Sequence, residues 1–345
     1  MKKLTDDITF GKDITDGILS AHFNKFTDSL KRYNPKYQKL LSADPDAPAP
    51  GYHYICPLCI EKQFAVIDGK ILANAVFTLD HVPPESVGGK SKILTCATCN
   101  NTAGIYEAEL LFKIRYQAFG DKKDGSSINK LTANDGSKVD KKHKGFLKHN
   151  EDGSFYLDFP EKAKENNPDL KHMLDGFGTT VEEVHIRVPS PDETKLNKAL
   201  LKSAYLICFQ NWGYEFVYSD TGKKIRNVLQ GKDSYPITLP LFLVDGDKVN
   251  LPIGLGIITS PKEAQGYYVN IPLREGNNYY IAPVLIAPPT KDGWDILKKV
   301  HDFISTEKEK EGDISWSFTS LNQCLPAIHN GYTTTWNLYK SGSLL

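Results

Sequence analysis

Three short stretches between residues 56 and 104 decide how this chain is read: CPLC at 56–59, LDHVPPESVGG at 79–89 and LTCATCNNTAG at 94–104. Two Cys-x-x-Cys pairs, Cys56/Cys59 and Cys96/Cys99, are separated by 36 residues, and Asp80-His81 lies between them. Each pair offers two sulfurs from one tight turn. Folding of the intervening chain brings the pairs together, which is what a tetrahedral four-thiolate zinc site needs. Pro57 lies inside the first turn, and the second runs into Asn100-Asn101 and then a segment of helical period. Four unrelated buried cysteines, and a redox or disulfide use, are the competing readings.

Taken in order, CxxC, DHxxP, GG and CxxCN, the stretch resembles the HNH (His-Me finger, or ββα-metal) endonuclease family, in the subgroup whose finger is stapled by a four-cysteine zinc. The likeness covers about 50 of 345 residues. It implies a structural zinc on Cys56, Cys59, Cys96 and Cys99, and a second, loosely held Mg²⁺ or Mn²⁺. It also implies His81 as general base, with Asp80 and Asn100 as catalytic ligands of that second ion and Asn101 as the fallback if the register slips by one. Two positions depart from the family. Ser91 stands where an Asn often braces the loop, and Ala103-Gly104 stands where Lys-Gly often contacts phosphate.

The residue types suit that chemistry. Phosphodiester hydrolysis needs a water deprotonated near neutral pH, and imidazole is the side chain whose ordinary pKa matches the task. Charge builds on the phosphate oxygens, where a hard cation held by oxygen ligands is useful. Pro83, Pro84, Gly88 and Gly89 are placed to shape the loop leading from His81 back toward the helix.

Composition bounds the partners. Lys plus Arg equals Asp plus Glu at 42 each. A zero net charge argues for local basic patches rather than chain-wide attraction to nucleic acid. No apolar run approaches the ~20 residues of a membrane span. The amino terminus has lysines without an apolar stretch after them, so no signal peptide is expected and the expected compartment is cytoplasmic. Cys208 and Cys324 read as reduced core residues.

Residues 14–33 carry Ile14, Ile18, Phe23, Phe26 and Leu30 at helical period, ending before Pro35. A Pro/Ala linker follows at 43–51. Phe64–Ile67 and Ile71–Phe77 around Asp68-Gly69 predict a hairpin. The sequence IYEAELLFKIRYQAF (105–119) predicts a helix that carries Lys113 and Arg115 near the finger. Residues 120–150 hold eight lysines against four aspartates. They read as a solvated connector or as a phosphate-tracking arm that includes Lys141, Lys142 and Lys144. Glu161–Asp169 reads as loop or frayed helix. Ser190, Pro191 and Glu193 signal a helix start. The stretch KALLKSAYLICFQNWGYEF (198–216) is similar to a segment found after HNH fingers in other bacterial proteins. Strand-like segments follow, with hairpin turns expected at 245–247 and 276–278, and then a helix over 294–304.

The expected fold is α+β: an N-terminal helical segment and linker (1–50), a zinc-stapled ββα-metal finger (51–120), a Lys-rich connector (121–180) and a C-terminal α+β accessory domain with an antiparallel sheet (181–345). The expected function is metal-dependent endonuclease cleavage of DNA, by analogy in bacterial restriction or antiphage defence. A non-catalytic zinc-finger nucleic-acid binder and a ligand-gated nuclease effector are the rivals. DNA is the expected partner; a second copy of the chain, a partner protein or a small-molecule activator are further candidates.

Overall fold

The computed structural model describes residues 16–34, 53–67, 70–120, 126–128, 130–139, 145–149, 155–177, 179–181, 183–187, 191–244, 254–308, 317–321 and 331–344. The Pro/Ala stretch at 43–51, Asp68-Gly69, Lys141, Lys142, Lys144 and Cys324 lie outside them. The chain is α+β, with an antiparallel sheet. It divides into two compact units, one of Met1–Glu107 with Glu193–Leu345, the other of Ala108–Asp192.

In the first unit, α1 (Asp16–Tyr33) is one helix that buries Phe26 and Leu30. Strands β1 (His53–Ile55), β2 (Gln63–Ile67) and β3 (Lys70–Ala73) form an antiparallel sheet in that order. β2 and β3 are the hairpin expected around Asp68-Gly69, with Ile67 opposite Lys70. The second strand stops at Ala73, short of the expected Phe77. There the Asn74 side chain accepts from Gln63 N–H and donates to the Glu61 carbonyl, turning the chain out of the sheet. Phe77 instead begins β4 (Phe77–Val82), which pairs antiparallel with β5 (Ser91–Cys96); β5 then runs on into α2 (Ala97–Gly120).

Residues read from composition as a Lys-rich connector contain, where described, β6 (Ser126–Ile128), β7 (Lys130–Ala133), β8 (Lys138–Val139), β9 (Gly145–His149) and β10 (Phe155–Asp158). Of the two readings of Glu161–Asp169, loop or frayed helix, the helical one holds: α3 (Glu161–Asn166) and α4 (Pro168–Gly176) lie there, and β11 (Val184–Arg187) follows. Asn167 caps α4 by accepting from Leu170 N–H at 3.1 Å, with Pro168 at its first position. Leu131, Ala133, Val139, Phe159, Leu170, Met173 and Val181 make this unit's own core. Its apolar positions are sparse and alternate with polar ones, so a lysine count hides the strands.

The first unit resumes at α5 (Glu193–Trp212). The helix starts later than the Ser190 signal predicts. Asp192 N–H donates to Glu109 Oε1 at 2.7 Å, outside the helix, and Pro191 precedes it. Then come α6 (Tyr214–Tyr218) and α7 (Asp220–Leu229), the latter capped by Ser219, which accepts from Gly222 N–H at 3.0 Å. Strands β12 (Phe242–Val244), β13 (Gly254–Ser260), β14 (Gly266–Glu275) and β15 (Asn278–Ile286), helix α8 (Gly293–Lys308), β16 (Ser317–Ser320) and α9 (Tyr332–Lys340) complete the chain. The sheet runs β12-β15-β14-β13-β16. Glu275 pairs with Asn278 across Gly276-Asn277, and Gly276 sits at φ +59°, which the tight turn requires. The other expected hairpin turn, at 245–247, lies outside the described residues, and the described strands on either side of it, β12 and β13, do not pair with each other. β12 lies against β15 and β13 lies beyond β14, because β12 takes the edge that the β14–β15 hairpin leaves open.

α5 is apolar around most of its circumference, as a helix buried on several sides must be. It packs against β4 and against β13, β14 and β15. Phe26 of α1 stacks on Phe209 of α5 at 4.3 Å, and Tyr54 of β1 meets Phe64, Phe77 and Phe209 within 6.3 Å. The N-terminal helix α1, the cysteine-bearing hairpins and α5 therefore share one aromatic core. Among the described residues no helix is long and apolar enough to cross a membrane.

Candidate metal centre and its neighbours

The first knuckle is set by backbone hydrogen bonds. Cys56 N–H donates to the Lys62 carbonyl (2.7 Å) and Ile60 N–H to the Cys56 carbonyl (2.9 Å), with Ile60 in the left-handed region at φ +54°. The second knuckle spans the end of β5 and the first turn of α2, and Ala97 N–H donates to the Val76 carbonyl. Cys96 N–H points at Cys56 Sγ at 3.4 Å, a contact that stabilises a thiolate.

All four sulfurs lie within 4.8 Å of one another, with Cys59 and Cys96 Sγ 3.9 Å apart. A zinc tetrahedron with bonds of about 2.3 Å has edges of about 3.8 Å, whereas a disulfide needs about 2.05 Å. Cys56 and Cys96 are buried and Cys59 and Cys99 half-buried. Burial pushes the Cys56 thiol up, while hydrogen bonds from the other three sulfurs, Cys56 first, pull Cys59 down. Four sulfurs gathered at this spacing from two knuckles fit a structural zinc.

The centre is braced from the carboxy-terminal part of the chain. Tyr205 of α5 donates its hydroxyl to the Pro57 carbonyl at 2.8 Å and accepts from Arg226 of α7 at 2.9 Å. Tyr214 Oη accepts from Ile55 N–H at 2.9 Å, and Tyr54 donates to the Leu94 carbonyl at 2.7 Å. The loop after β4 is equally fixed. Pro84's carbonyl accepts from Val87 and Gly89, Gly88 sits at φ +89°, and a Cβ on Gly89 would lie 1.6 Å from the Pro83 carbonyl.

Alternation along β4 sends Thr78 and Asp80 to one face of the hairpin and His81 to the other. On the first face Asn100, in the first turn of α2, donates Nδ2 to Thr78 Oγ1 at 3.0 Å. Asp80 is only 2% exposed. Lys202 Nζ lies 2.7 Å from both of its oxygens, and Thr95 donates its hydroxyl to Oδ2 at 3.2 Å. The same ammonium reaches Glu107 Oε1 at 2.5 Å. Burial raises the Glu107 carboxyl above its usual range, opposed by Lys202. As arranged, Asp80 and Asn100 do not form an open oxygen pair for a divalent cation, because the Lys202 ammonium already lies against both oxygens of Asp80.

On the other face His81 remains partly open, with 23% of its side chain exposed and Glu85 Oε2 3.7 Å from Nδ1. That separation exceeds a hydrogen bond, so the pairing is electrostatic. Lys92, exposed on β5, is His81's register partner and so stands on the same face.

Glu85, Lys92, Glu107 and Lys202 were not singled out from the sequence. Glu107 had a signal, since Asn100, Ala103 and Glu107 share one face of α2 at helical spacing. Lys202 had only a faint one, a lysine within the mostly apolar run 199–207 of a long helix. Lys113 and Arg115 lie on the distal half of α2, in the second unit. Comparison with protein-family models, curated proteins and solved structures finds no match to this chain.

Proposed function

We propose that the protein is a zinc-stapled nuclease of the HNH kind that hydrolyses DNA phosphodiester bonds, with His81 as general base. The observation that carries the reading is His81 itself: a partly open imidazole at the end of a hairpin-helix unit, with a carboxylate near Nδ1 and a lysine opposite. In this reading Nε2 takes a proton from water, the water oxygen bonds to phosphorus, and the bond to the leaving 3′ oxygen breaks. That oxygen takes a proton from solvent, leaving a 3′-hydroxyl and a 5′-phosphate. Glu85 stabilises the imidazolium that results, and Lys92 neutralises a non-bridging phosphate oxygen. The zinc centre holds the hairpin against α2 and takes no part in the reaction.

A second reading has a specific observation in its favour. Lys202 occupies Asp80, the residue that the resemblance assigns to a catalytic cation, which suits a finger that binds nucleic acid without cutting it. Nicking of supercoiled plasmid by wild type and His81→Ala, with Mg²⁺ or Mn²⁺ and with chelator, separates the two.

A further inference from the structure

Three observations converge on Lys202. Its ammonium is 1% exposed and contacts two carboxylates, at 2.7 Å to Asp80 and 2.5 Å to Glu107. An ammonium has three donors and no acceptor, and one N–H goes to each carboxylate. The lysine comes from α5, while its partners come from the finger, on β4 and α2. What lies between the carboxylates is thus a cation-binding seat already holding a cation, delivered by a different part of the chain.

We propose that Lys202 and a divalent cation are mutually exclusive occupants of one seat between Asp80 and Glu107, so that α5 controls whether the finger takes up Mg²⁺ or Mn²⁺. The proposal deepens the nuclease reading and rests on it for its consequence in catalysis. It adds Glu107 to the oxygen ligands and makes Lys202 a positioning residue that sets metal demand. Withdrawal of the ammonium leaves one buried and one half-buried carboxylate facing each other, which a hard cation with oxygen preference is suited to neutralise.

The test is Mn²⁺ binding, read by electron paramagnetic resonance of the free ion and by the melting temperature of the zinc-loaded protein. Lys202→Met should bind Mn²⁺ more tightly than wild type by about tenfold or more, because a like charge has left the seat. Mn²⁺ should raise its melting temperature, as mass action requires. Both gains should vanish in Lys202→Met/Glu107→Gln, and Lys202→Arg should behave as wild type. Lys202→Gln, which keeps one donor toward the pair, serves where Lys202→Met does not fold unaided. Equal Mn²⁺ affinity in wild type and the neutral variants overturns the proposal. So does a gain that survives Glu107→Gln, or failure of Mn²⁺ to restore cooperative melting to either neutral variant. The nuclease reading fails separately: a Mn²⁺ gain without any plasmid nicking sinks that reading and leaves the seat. His81-dependent nicking without a Mn²⁺ gain does the reverse.

Discussion

Lys202 Nζ meets Asp80 Oδ1 at 2.7 Å, although the two residues are 122 positions apart. The contact fastens α5 to the strand that carries the candidate base, in a setting where neither side chain touches solvent appreciably. Removing one member of such a pair leaves an uncompensated buried charge. Lys202→Ala is therefore expected to destabilise the protein by about 3–5 kcal/mol. Denaturant melts of wild type and variant measure this, and a difference near zero would show that the pair is solvated.

The four sulfurs predict one tightly held zinc per chain. Metal analysis of protein purified without added zinc should return that stoichiometry. Chelation, or Cys96→Ser, should abolish cooperative unfolding of the finger, since metal binding and folding are one equilibrium in sites of this kind. Retention of the native melting transition after complete zinc removal is the contrary result.

Lys92 faces the same side of the hairpin as His81. If it contacts a phosphate, Lys92→Ala should weaken binding to DNA of any sequence and reduce the slope of log affinity against log salt by about 0.9. Fluorescence anisotropy at several salt concentrations reads both. An unchanged slope assigns Lys92 to the solvated surface.

His53 gives a pH dependence of defined sign. Burial lowers its pKa, against a hydrogen bond to Gln63 Oε1 at 3.0 Å that raises it. The unfolded chain therefore takes up the proton first as pH falls. Stability is full above the usual histidine value of about 6.5 and declines below it. Melting temperatures across that window should show the decline, and His53→Gln should flatten it.

What could be seen in the sequence was local. The knuckle spacing, the Asp-Gly hairpin, the α1 period and the Gly276-Asn277 turn each state their geometry within a few residues. What could not be seen depends on distant partners. Nothing near β12 says that it pairs with β15 rather than β13, because edge pairing is chosen by the whole sheet. The second unit was obscured for another reason: Leu131, Ala133 and Val139 are too thinly spread among lysines to mark strands by composition. At the candidate site, Cys56, Cys59, Cys96 and Cys99 were legible as a set because metal ligation imposes spacing on sequence. A buried lysine supplied by α5 imposes none. The occupant of Asp80 became visible only once tertiary contacts were in hand.

The central claim is that His81 performs hydrolysis, and the most direct measurement is the rate of supercoiled plasmid nicking by zinc-loaded wild type and His81→Ala at millimolar Mn²⁺. Loss of a general base costs about 10²–10⁴-fold in rate. Wild type should therefore nick, and a variant with unchanged melting temperature and zinc content should be slower by that factor. Equal rates for the two proteins, or no nicking by wild type at any Mn²⁺ concentration, would contradict the account.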